Sequence, residues 1–172
     1  MNIIKTLTLS VVLLFSINVF AQQIAVEDGY VEGTNMVNLN DAKYASMSFE
    51  NIINSYKGKV IYLDFWASWC RPCKGEMPHS LRMQQYFKDK DVVFLYMSSD
   101  RDPKAWENSV KQLKITGENY LVSGKIHNEY NQLFDVKFIP RYVLYDKEGN
   151  VVDAAAKRPS SSEAFKQIED LL

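Results

Sequence analysis

The chain has 172 residues, 47% of them hydrophobic and 24% charged, with a formal net charge of -1. That composition excludes wholesale disorder, and the balanced charge leaves neither a basic footprint for nucleic acid nor a trap for acidic substrates. A domain of roughly 150 residues buries about two-thirds of its unfolded surface, so it needs no disulfide to fold.

Met1–Lys5 supplies a short positive region, and the run from Thr6 to Phe20 is uncharged and rich in Leu, Val, Ile and Phe. Val19-Phe20-Ala21 then puts a small residue before Gln22. This is the pattern of a signal peptide over 1–21, cleaved near Ala21. The run is shorter than the about 20 apolar residues a membrane span needs, and Ser10, Ser16 and Asn18 interrupt it. No cysteine precedes Cys70, so no lipid anchor is expected there. The expectation is an exported, periplasmic protein whose domain, 22–172, faces an oxidising compartment.

Residues 22–44 form a polar lead-in with turn signals at Asp28-Gly29 and Glu32-Gly33 and room for a short strand or two. Ser48 can cap a short helix to Tyr56 with Phe49, Ile52 and Ile53 on one face. Val60–Trp66 alternates too little for a half-exposed strand and belongs in the centre of a sheet. A helical pattern follows from about Arg71 to Phe87, with Met77, Leu81 and Gln84/Gln85 as its advancing face. Val92–Met97 is a second buried strand ending in Ser98-Ser99-Asp100.

Asp102-Pro103 opens the next helix, with Asp as cap and Pro in the first turn. It runs to about Leu113 on a stripe of Trp106, Val110 and Leu113. A short strand at Asn119–Val122 and a helix at Lys125–Phe134, carrying Ile126, Tyr130 and Leu133, come after it. Arg141–Tyr145 and Val151–Ala155 read as a hairpin about Asp146-Lys147-Glu148-Gly149. Ser160 and Glu163 stand in capping-box spacing before a last helix to Leu172. The order predicts an α/β fold with a mixed central sheet: parallel strands in the middle, an antiparallel hairpin at the end and helices on both faces.

Two cysteines, Cys70 and Cys73, stand two residues apart at the junction of the central strand and the long helix. As a staple they would contribute only about 2 kcal/mol, because the loop they close is so short. A closed zinc site needs four ligands, and the histidines, His79 and His127, fall on the cysteines' own helix and on a different one. They read as exposed helical residues, and no metal site is expected. Haem attachment needs a histidine after the second cysteine, where Lys74 stands. A lone nucleophile would leave the second thiol without a purpose.

Reversible dithiol–disulfide exchange fits the residue types best. A thiolate in the first turn of a helix meets unpaired N–H groups and the positive end of the dipole, and in such settings thiols ionise at about 3.5–7.5 rather than about 8.5. Arg71 adds positive charge, Pro72 stiffens the loop without costing a helical hydrogen bond, and Trp69 can cover the pair. A thiol module that binds copper or zinc for delivery, and a peptide-binding domain without redox chemistry, remain as alternatives of other classes.

The run Asp64-Phe65-Trp66-Ala67-Ser68-Trp69-Cys70-Arg71-Pro72-Cys73 resembles the active-site strand and helix of the thioredoxin-like superfamily. Lys74-Gly75-Glu76-Met77-Pro78 narrows the likeness to the TlpA/ResA-like exported thiol–disulfide oxidoreductases, and the later segments VVFLYMSSDRDPKAW and FIPRYVLYDKEGNVV extend it. The resemblance implies a thioredoxin-like fold and a redox-active Cys70–Cys73 disulfide with no other cofactor. Cys70 would attack and Cys73 resolve. Pro140 would be a cis-proline against the disulfide, with the Ile139 backbone pairing to a bound peptide. Asp64 falls where thioredoxins carry a buried acid, and Glu76 where the TlpA/ResA-like proteins carry one; having both departs from the family pattern. Arg141 replaces thioredoxin's threonine. Implied partners are protein disulfides and a membrane electron donor, with net flow toward reduction.

Overall fold

The computed structural model describes residues 29–172. The expected signal peptide and the first part of the lead-in lie outside the described residues. Six strands form one sheet in the order β1-β4-β3-β2-β5-β6. β2 (Val60–Trp66), buried throughout, lies between β3 (Val92–Ser98), which runs parallel to it, and β5 (Arg141–Tyr145), which runs antiparallel. β4 (Gly117–Leu121) pairs with β3, and β1 (Thr34–Asn38), from the lead-in, pairs with β4, both parallel. β6 (Val151–Asp153) completes the terminal hairpin as the other edge, its turn closed by Gly149 at φ 87°. The mixed sheet is the one the sequence predicts.

The helices start where their caps are written. Ser48 and Asn51 form a reciprocal capping box on α1 (Phe49–Asn54), and Asp102 caps α3 (Pro103–Leu113) by accepting from the Lys104 N–H. Cys70 itself caps α2 (Arg71–Tyr86). α2 continues through Pro78, whose missing N–H leaves the exposed Lys74 carbonyl to solvent. α4 (Gly124–Phe134) is capped by Ser123.

The structure differs from the sequence reading in the faces and starts of several helices. The buried line of α2 is Cys73, Glu76, Met77, Ser80 and Met83, so Leu81 is only half buried. In α4, Phe134 rather than Leu133 faces the core. α5 (Ser162–Glu169) is capped by Ser161, not Ser160; the Ser160 hydroxyl is committed elsewhere, to the long helix.

β2 divides the core. Ile61, Leu63 and Phe65 join an apolar cluster with α1 and α4. Val60, Tyr62 and Trp66 face the other way, into the cluster that holds Cys70, Cys73 and Met77. The two-residue period of a strand puts Asp64 on that second face, beneath α2. No helix among the described residues is long and apolar enough to cross a membrane.

Candidate active site

The chain leaves the buried end of β2 at Trp66 and turns through Ala67, Ser68 and Trp69 into the cap of α2. Asp100, just past β3, holds that turn. Its carboxylate accepts from the Ser68 N–H at 2.8 Å, the Ser68 hydroxyl at 2.6 Å and the Ser98 hydroxyl at 2.6 Å. In the sequence, Ser98-Ser99-Asp100 reads only as the end of a strand. The signal was available, because adjacent parallel strands end side by side and an acid after one can reach the loop after the next.

Cys70 and Cys73 form a disulfide. The Cys70 sulfur accepts from the Cys73 N–H at 3.1 Å, which makes it the capping atom of α2. The pair lies inside the surface, Cys70 4% exposed and Cys73 1%. Trp69 is 68% exposed, so the sulfurs are buried while most of its ring stands in solvent, and it is not the cover the sequence suggested. The Ile139–Pro140 peptide is cis, the configuration the resemblance implies. The Ile139 carbonyl oxygen lies 3.7 Å from the Cys70 sulfur. A disulfide sulfur has no hydrogen to donate, so this is a contact here and becomes a hydrogen bond only when the thiol is present.

A groove of about 1230 Å³ opens next to the active-site turn, lined by Trp69, Phe138 and Ile139 and by residues of the first turns of α3 and α4. Phe138, which the sequence reading did not single out, is 85% exposed at its rim. Arg71 and Pro72 are exposed in the first turn of α2. Arg141 next to the cis peptide is half buried, and its Nε donates to the Ala154 carbonyl at 2.9 Å.

Two carboxylates are buried under or along α2, in opposite circumstances. Asp64 is 1% exposed and neither of its oxygens has a hydrogen-bond partner. Burial pushes its carboxyl well above the usual carboxylate range, and the nearby Glu76 charge adds to the shift. Glu76 is fully engaged: Oε2 accepts from the Ser160 N–H at 3.0 Å, Oε1 from the Ser160 hydroxyl at 3.0 Å, and Arg158 Nη1 lies 3.7 Å from Oε1. It is therefore not a solvated helix residue but the tie between α2 and the segment leading into α5. Neither histidine is fully exposed: His79 contacts Arg82 on α2, and His127 lines the groove and packs on Tyr130. Among the described residues, no group of three or more His, Cys, Asp or Glu is placed to hold a metal ion.

The thioredoxin-like family profile matches residues 58–151, which carries the strand, the cysteine pair and the cis peptide. Thiol-disulfide oxidoreductase ResA of Bacillus thuringiensis subsp. konkukian is 31% identical over 120 residues, 70% of this chain and 65% of its own length. ResA of Bacillus subtilis is 30% identical over 100 residues, 58% of this chain and 54% of its own. The chain thus spans between about half and two-thirds of the length of these relatives. Among solved structures, a Bacteroides vulgatus protein assigned as a thiol-disulfide oxidoreductase superposes with a TM-score of 0.62 at 36% identity, covering 69% of this chain and 82% of that one.

Proposed function

This chain belongs to the thioredoxin-like family, and we propose from that premise that it is a thiol–disulfide oxidoreductase acting on the disulfides of exported proteins. The observation that carries the reading is the capping of α2 by the Cys70 sulfur itself, which accepts the Cys73 N–H. In the reduced protein the same geometry gives a thiolate the N–H groups and dipole end that stabilise its charge. The exposed Arg71 adds to it.

Cys70 as thiolate attacks one sulfur of a substrate disulfide; the other sulfur leaves as a thiolate and is protonated. The substrate is then joined to Cys70. Cys73 gives its proton to the Asp64 carboxylate and attacks the Cys70 sulfur. The Cys70–Cys73 disulfide forms, the bond to substrate breaks, and the second substrate thiol is released. The substrate has gained two electrons, which a membrane donor returns to the cysteine pair. Asp64 suits the proton role because its oxygens are uncommitted, whereas Glu76 is held by Ser160 and Arg158. Trp69, Phe138 and Ile139 line the groove that receives the substrate as an extended segment, with Pro140 next to it in the chain. Residues 1–21 act as the export signal, and the described part of the lead-in supplies β1.

The test is trapping in the exported compartment. Cys73→Ser is expected to accumulate mixed disulfides with exported proteins, identified by mass spectrometry, and Cys70→Ser to form none. Equal residual disulfide-reducing activity in the two variants contradicts the assignment.

A further inference from the structure

Asp64 is surrounded by tyrosines. Tyr142 on β5 and Tyr96 on β3 are its register partners across the two ladders, and residues in register share a face of the sheet. Tyr62 lies two residues earlier on β2, on the same face, with its ring stacked on that of Tyr142 at 5.5 Å. Cys73 lies in the same core cluster as these tyrosines, Glu76 on α2 acts on Asp64 through its charge, and Arg158, from the connection between β6 and α5, pairs with Glu76 and acts on Tyr142.

The three hydroxyls differ in what they are free to do. Tyr62 donates to the Lys157 carbonyl at 2.6 Å. The Tyr96 hydroxyl is shared between Ser80 Oγ at 2.6 Å and Gln84 Nε2 at 2.7 Å. The Tyr142 hydroxyl is buried and has no partner, like both oxygens of the acid it sits opposite. Trp66 Nε1 is a further unpartnered donor on this strand, but its hydrogen is fixed in the ring plane, whereas a hydroxyl turns about its C–O bond to meet a carboxylate. A buried donor and a buried acceptor left over on the same face form a matched set.

We propose that Tyr142 is a positioning residue for the resolving step: when the cysteines are reduced its hydroxyl turns to donate to the Asp64 carboxylate, directly or through one water, and holds ready the form of the acid that takes the Cys73 proton. This rests on the reading of Asp64 as the base of that step. Cys73 loses its proton to Asp64 as its sulfur bonds to Cys70, and Tyr142 keeps its own proton throughout. Burial alone leaves Asp64 too ready to stay protonated. A hydrogen bond to the ionised form works against that, without bringing a second charge into the core.

Stopped-flow mixing of the reduced protein with excess dithionitrobenzoate separates the two half-reactions, because one thionitrobenzoate leaves on Cys70 attack and a second on resolution by Cys73. The pH profile of the second phase is compared in the parent protein, Tyr142→Phe and Asp64→Asn. Tyr142→Phe is expected to move the midpoint upward by about one pH unit and to slow resolution about tenfold at pH 7, with the first phase showing that Cys70 still attacks. Asp64→Asn is expected to remove that limb of the profile. If Asp64→Asn removes it and Tyr142→Phe leaves it in place, the tyrosine assignment is wrong and the base assignment stands. If Asp64→Asn keeps the parent profile, both are wrong. Urea unfolding supplies a readout with a different sign: a hydroxyl that bonds nothing would leave Tyr142→Phe as stable as the parent or more so, with an unmoved profile, and that pair of results overturns the proposal.

Discussion

The two faces of β2 are built from one seven-residue segment and serve opposite ends. Toward α1 and α4, Ile61, Leu63 and Phe65 pack with Phe49, Tyr130 and Phe134, and Phe65 meets the Tyr130 ring at 4.4 Å. Toward α2 the same strand places Tyr62 and Trp66 in the cluster that holds the disulfide, with Asp64 between them on the same face. On that side Asp64, Trp66 and Tyr142 keep buried polar atoms without partners. One face stabilises the fold; the other carries a desolvation cost that has a use only if a proton moves there. On the proposed function, substitution at adjacent positions should separate stability from chemistry.

The largest effect should come from the apolar face. Phe65→Ala is expected to lower unfolding stability by about 3–5 kcal/mol in urea melts. Below its unfolding transition the pH profile of resolution should stay where it is. A profile that shifts as far as it does in Asp64→Asn would show that the two faces are not separable.

Asp64→Asn comes next, with the opposite sign in stability. The folded carboxyl ionises well above its unfolded value near 4. Between those two points the unfolded chain is ionised and the folded one protonated. The folded state then binds more protons, and stability falls as pH rises through the window, by about 1.4 kcal/mol per pH unit. Below about pH 4 the parent and Asp64→Asn should therefore agree, and above it the variant should gain steadily in urea or thermal melts. A constant difference between the two at all pH values would contradict the burial of a protonated acid.

Glu76→Gln should do least. An amide oxygen still accepts from Ser160, so the loss is the Arg158 pairing and part of the Ser160 bonding, about 1 kcal/mol. Removing that negative charge also relieves Asp64, so the resolving step should shift to lower pH, opposite to Tyr142→Phe. Complete loss of resolution in Glu76→Gln would transfer the proton role to Glu76.

Local signals in the sequence were reliable where one residue acts on its own neighbours. The Asp102-Pro103 start of α3, the Ser48 cap and the central placement of β2 follow from residue type and spacing. What escaped depends on partners far along the chain. Ser160 looks like a helix cap until Glu76, 84 residues earlier, takes both its N–H and its hydroxyl. Asp100 looks like the polar end of a strand until β3 pairs with β2 and brings it to Ser68. The phase of α2 is not legible in the sequence because two of its buried positions, Glu76 and Ser80, are polar and satisfied by Ser160 and Tyr96. Tyr142 carries no signal beyond an ordinary buried strand residue, since its bearing on Asp64 comes from the antiparallel register of β5.

The chemistry proposed for the α2 face depends on the helix start stabilising the charge of the Cys70 sulfur, and ultraviolet titration of the reduced Cys73→Ser variant reads that charge directly. Ionisation at or below about pH 7 is expected for a thiolate seated as the cap of α2. Ionisation near pH 8.5, that of a cysteine in a free peptide, would contradict it.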